Sequence, residues 1–121
     1  MVALAVLAVK PCGAPGVQYS AAMTNPRLDA DDLTTRLAAL PGWRLQADKL
    51  HREYRFADFV EAFSFMTAAA LVAERMNHHP EWGNVWNTVR IDLTTHDARG
   101  ITAKDFALAE AMERLATPRT T

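Results

Sequence analysis

Residues 58–80 constrain this fold more than any other part of the chain. Asp58 is a favoured N-cap type, and Glu61 follows three positions later, the arrangement of a capping box. The spacing predicts a helix over 58–77, stopped by Pro80. Phe59, Phe63, Met66, Ala70 and Ala73 form one stripe at helical spacing. Val60, Phe65, Ala69, Leu71 and Val72 extend the apolar character around most of the circumference. A helix of this kind must be covered on more than one side. The chain has 121 residues, one domain's worth, and one sheet face cannot cover the whole helix. A contact with a second copy would complete the burial. The plainer reading is that Ala-rich stretches are simply good helix formers.

The flanking segments supply the sheet. Asp29 or Asp31 can cap a short helix carrying Leu33, Leu37 and Leu40, ended by Pro41 and Gly42. Residues 43–46 read as a strand and 47–49 as a turn. Residues 50–56 read as a second strand, with Leu50, Arg52, Tyr54 and Phe56 facing one way. His51, Glu53 and Arg55 face the other, which makes His51 a surface residue. Residues 85–95 are strand-like but long, so Asn87 and Thr88 are expected to divide them into a hairpin. After a loop at 97–100, Thr102 caps a last helix with Asp105 at its third position. Phe106, Ala109, Met112 and Leu115 form its buried stripe, and Pro118 ends the order. The element order is α-β-β-α-β-β-α. Short strands joined by tight turns imply a four-stranded antiparallel sheet with helices packed on one face, a two-layer α+β fold.

Composition excludes several functions. Thirteen basic and fourteen acidic residues give a net charge of −1, not the footprint of a dedicated nucleic-acid binder. Cys12 is the only cysteine, so neither an internal disulfide framework nor a cysteine-based zinc site is available. That fits a reducing, cytoplasmic setting. No apolar run is long enough for a membrane span. The run at 1–9 lacks a preceding positive charge and is followed by Lys10 and Pro11, a poor match to a signal peptide. Residues 1–22, broken by Gly13, Pro15 and Gly16, are expected to lie outside a domain at 23–121.

The chemistry-bearing residues collect at element ends. His78 and His79 stand at a helix exit and His96 at a strand exit. Glu74 lies four residues before His78, and Asp105 opens the last helix. Imidazoles beside carboxylates can serve as acid and base near neutral pH. Three histidines and a carboxylate could also hold zinc, but neighbouring residues on an extended segment point to opposite sides, which separates His78 from His79. The third reading is ordinary loop histidines. Trp82 and Trp86 read as core or rim aromatics, and Arg52, Arg55, Arg90 and Arg99 are assigned no site.

The run Glu74-Arg75-Met76-Asn77-His78-His79-Pro80-Glu81-Trp82, followed by Asn84-Val85-Trp86-Asn87 and Thr94-Thr95-His96-Asp97, resembles pterin-4a-carbinolamine dehydratases. This family is also known as the dimerisation cofactor of a homeodomain transcription factor. The likeness extends over about residues 28–117 and includes Pro41-Gly42-Trp43 and Phe63-Ser64-Phe65-Met66. Asn77 and Asp97 stand where animal members often carry Asp and Glu. The resemblance implies dehydration of 4a-hydroxytetrahydropterin to quinonoid dihydropterin, with no metal and no organic cofactor. It implies a catalytic set of His78, His79, His96 and Asp105, with His78 and His96 as acid and base and His79 mainly binding substrate. Asp105 would orient His96, and Glu74 would support His78. Asn77, His78, His79, Thr94, Thr95, His96 and Asp97 would bind the flat pterin. Dimers or tetramers are implied; the charge balance and the lack of a long apolar run leave neither nucleic acid nor membrane as an expected partner. The other function class is a non-catalytic dimerisation or regulatory binding module of the same fold.

Overall fold

The computed structural model describes residues 25–120, so the expected extension at 1–22 lies outside the described residues. The elements are α1 (Ala30–Leu37), β1 (Arg44–Gln46), β2 (Lys49–Arg55), α2 (Phe59–Met76), β3 (Glu81–Val85), β4 (Thr88–Leu93) and α3 (Ala103–Thr120). The strands form one antiparallel sheet in the order β1-β2-β4-β3. The sheet's inner face buries Leu50, Tyr54, Val89, Ile91 and Leu93. Phe65 of α2 and Phe106 and Met112 of α3 join this core. The two-layer α+β fold is as expected.

The caps explain where the helices start. Asp29 accepts from the Asp32 N–H at 2.9 Å. Asp58 accepts from the Glu61 N–H at 2.9 Å, and Glu61 reaches back to the Ala57 N–H at 3.2 Å. At α3 the Asp105 carboxylate accepts from the Thr102 N–H at 2.9 Å, while Thr102 Oγ1 accepts from the Lys104 N–H. The β1–β2 turn places Ala47 and Asp48 both at positive φ, matching the twist of a two-residue hairpin.

Several expectations are corrected. The face of α2 that meets the core is Ala62, Phe65, Ala69 and Ala73, not the stripe through Phe59, Phe63 and Ala70. Both sets are apolar, and small residues let the helix approach its neighbours closely. Phe59, Val60, Phe63 and Leu71 consequently stand exposed. The second hairpin turns at Trp86 and Asn87, not Asn87 and Thr88, and a separate strand occupies Glu81–Val85. Trp86 takes φ 52°, a backbone conformation uncommon for bulky residues, so nothing in its type signals the turn. Asn84 holds the turn by donating to the Trp86 and Thr88 carbonyls. His51 is buried, not a surface residue, because Nδ1 pairs with Asp92 at 2.8 Å across β2 and β4. Helix α3 continues past Pro118 to Thr120.

Candidate active site

Helix α2 ends at Asn77, which adopts the left-handed conformation at φ 52° and ψ 45°. Asn tolerates that conformation better than most residues, and the reversal throws the next residues off the helix. His78 therefore leaves the face that carries Glu74. Its backbone N–H closes the helix end on the Ala73 carbonyl, and its ring turns inward.

Inside, His78 Nε2 lies 2.5 Å from Asp105 Oδ1. Asp105 is fully buried, yet its acceptors are occupied. Oδ2 accepts from Thr95 Oγ1 at 2.8 Å and from the Thr102 N–H at 2.9 Å. Thr95 and Thr102 also bond one another at 2.8 Å. A buried carboxylate is tolerable only with this degree of pairing. The same residue thus caps α3 and fixes the His78 ring. With Nε2 facing the carboxylate, Nδ1 is the ring nitrogen left for another partner.

The other two histidines are exposed and also face carboxylates through Nε2. His79 Nε2 lies 2.9 Å from Glu74 Oε1. His96 Nε2 lies 3.2 Å from Glu81 Oε2. His96 opens a short 3-10 turn, His96–Ala98, that Thr95 closes by bridging to Gly100. The expected pairings are therefore corrected: Asp105 orients His78 rather than His96, and Glu74 meets His79 rather than His78. The left-handed residue at 77 is the physical reason, since an i to i+4 argument holds only while the helix continues.

The three histidines share one cleft of about 420 Å³, whereas Asp105 and Glu74 are not part of its lining. It is lined by Asn77, His78, His79, Thr94, Thr95, His96 and Asp97, together with Pro80, Glu81 and Lys104. All seven residues expected to bind substrate thus reach one place. Glu81 and Lys104 line the same cleft without being among the residues expected there. Lys104 sits beside Asp105 in the capping box, and Glu81 begins a strand that the sequence pattern did not separate from a loop.

A sequence model described as Pterin 4 alpha carbinolamine dehydratase matches residues 26–115. The chain belongs to the pterin-4a-carbinolamine dehydratase family. A Solibacter usitatus protein named for the same family is 58% identical over 90 residues, covering 74% of this chain and 95% of the relative. A Prochlorococcus marinus relative, likewise named, is 54% identical over 93 residues, covering 77% and 97%. Among solved structures, a transcriptional coactivator/pterin dehydratase from Brucella melitensis aligns with a TM-score of 0.73 at 40% identity. That alignment covers 74% of this chain and 98% of the other. A pterin dehydratase-like RuBisCO assembly factor of the alpha-carboxysome shares the fold, with a TM-score of 0.55 at 23% identity. It covers 62% of this chain and 89% of that protein.

Proposed function

We propose that the chain dehydrates 4a-hydroxytetrahydropterin to quinonoid dihydropterin and so recycles a pterin cofactor. The observation that carries this reading is the cleft itself, lined by His96 and by His78, whose ring is paired with the buried Asp105. The C4a hydroxyl leaves as water only if it receives a proton, and the N5 proton must depart as the C4a=N5 bond forms. One acid and one base complete that exchange, and the substrate supplies both electrons of the new π bond. His78 and His96 take the two roles. His79, exposed and paired with Glu74, contributes to substrate binding, as do Asn77, Thr94, Thr95 and Asp97 around the rim.

This proton exchange calls for neither a Lewis acid nor an organic cofactor. Catalysis of carbinolamine decay, followed by absorbance, should survive exhaustive chelation with less than about a twofold change. Loss of turnover on chelation, restored by one equivalent of zinc, would contradict the mechanism. A folded chain that leaves the spontaneous rate unchanged would instead favour a binding module.

The reading includes self-association. Phe59, Val60, Phe63 and Leu71 leave an apolar surface on α2 that the chain's own sheet does not cover. A second copy would cover it, as homo-oligomers usually do through closed symmetric contacts. Light scattering at micromolar concentration should give a dimer or larger assembly. Leu71→Glu should shift it toward monomer, because a buried unpaired carboxylate costs roughly a few kcal/mol. A monomeric parent would contradict the proposal. The setting is expected to be cytoplasmic, and no described helix is long and apolar enough to cross a membrane.

A further inference from the structure

His96 poses a problem that His78 does not. Its side chain is 78% exposed and stands on a short 3-10 turn, so packing does not fix its ring. An exposed imidazole samples several rotamers and both neutral tautomers. Proton transfer needs one orientation and a defined tautomer. Something beyond burial has to supply them.

Glu81 is placed to do so. It is the first residue of β3, and its backbone is fixed by pairing with Asp92 in the neighbouring strand β4. Its two carboxylate oxygens have different partners. Oε1 takes the Lys49 ammonium at 2.5 Å, and Oε2 faces His96 Nε2 at 3.2 Å. Lys49 begins β2, on the far side of β4, so its side chain reaches across a whole strand to make this contact. Between them on β4, Asp92 stands opposite both Glu81 and His51 and pairs with the buried His51 ring. Asp92 is thus engaged by His51, while Glu81 meets both Lys49 and His96.

Resting on the dehydratase reading, we propose that Glu81, anchored by Lys49, is a positioning residue for His96: it holds the ring with Nε2–H toward the carboxylate and leaves Nδ1 for the pterin. His78 receives the same service from Asp105, by burial instead of by a lysine anchor. The Lys49 ammonium, with a smaller contribution from His96, holds the Glu81 carboxyl below the usual carboxylate range. Glu81 therefore remains an acceptor at neutral pH. The exposed Lys49–Glu81 contact adds little to stability, so its loss should be felt in orientation and not in folding.

The test combines kinetics with ring-nitrogen NMR on the full chain. Glu81→Ala should lower kcat about tenfold, the low end for removing a group that orients a reacting ring, with KM within about twofold. Glu81→Gln keeps an acceptor oxygen and should restore most of that loss. Lys49→Met should fall between the parent and Glu81→Ala. At about pH 8.5, above the ordinary histidine range, the parent's His96 ¹⁵N signals should report the Nε2–H tautomer. Glu81→Ala should show a mixture of both tautomers. A parent without dehydratase activity, but with this tautomer change in Glu81→Ala, would remove the reaction and leave the positioning role standing. An unchanged His96 tautomer in Glu81→Ala would overturn the inference whatever the rate does.

Discussion

His78→Ala should lower turnover by about 10²-fold or more, the scale of a lost general acid or base. Asp105→Asn should also lower it strongly. Asp105 Oδ1 accepts from Nε2 at 2.5 Å, while its other oxygen is committed to Thr95 and Thr102. An amide in that place either keeps the Thr95 and Thr102 bonds and points its NH₂ at the ring, or flips and breaks the α3 cap. Both outcomes disturb the His78 ring. Since His78 is buried, His78→Ala also leaves Asp105 Oδ1 without its donor, at a cost of about 1–3 kcal/mol. Rates should therefore be compared per folded molecule, checked by far-UV circular dichroism. His96→Ala should match the kinetic loss with little change in melting, because His96 is exposed. Near-parental turnover in folded His78→Ala would contradict the acid–base assignment.

Glu113→Ala should be the most destabilising of the polar substitutions away from the cleft, by about 3 kcal/mol. A single oxygen, Oε1, accepts from Trp43 Nε1 at 3.0 Å, from Arg52 Nε at 3.1 Å and from the Tyr54 hydroxyl. Trp43 and Tyr54 are each only 4% exposed. Truncating the carboxylate leaves two buried donors without an acceptor and unpins Arg52, whose guanidinium stacks 4.3 Å over the Tyr54 ring. The melting temperature should fall by about 15 °C for a domain of this size. Glu113→Gln keeps an acceptor and should fall by much less. A loss under about 3 °C in Glu113→Ala would show that the cluster does not stabilise the fold as described.

Acid stability follows from the same cluster. Burial alone would raise the Glu113 carboxyl, but hydrogen bonds from Tyr54, Arg52 and Trp43 overcome it and hold the group below the usual carboxylate range. Its contribution is present above the unfolded carboxylate value of about 4.3 and is lost as pH falls through the lower folded value. In Glu113→Gln that part of the acid transition should be absent. Burial, then the Glu113 contact, pushes the Tyr54 phenol up, so Tyr54 remains the donor throughout.

The local signals that survived folding were those written in short-range chemistry. Asp58 with Glu61, and Thr102 with Asp105, are capping pairs whose partners lie three residues apart, so their bonds could be read directly from spacing. The face of α2 could not, because Phe59 and Phe63 are as apolar as Phe65, and only the sheet and α3 decide which phenylalanine goes inside. The partners of the histidines were illegible for another reason. Asp105 meets His78 across 27 residues, and Glu81 meets His96 across the end of a strand that the sequence pattern did not separate from a loop. Asn77 shows the limit of helical spacing: one left-handed residue moved Glu74 from His78 to His79. The burial of His51 is not legible in the sequence, because strand alternation says which face a residue takes and not whether neighbours on that face cover it.

On the proposed function, one cleft moves two protons, through His78 and His96. Stopped-flow mixing of synthetic 4a-carbinolamine with the full chain measures this directly, with the His78→Ala/His96→Ala double variant in parallel. The parent should speed decay of the carbinolamine well above its spontaneous rate, and the folded double variant should return it close to that rate. Equal acceleration by both proteins, or none by the folded parent, would contradict it.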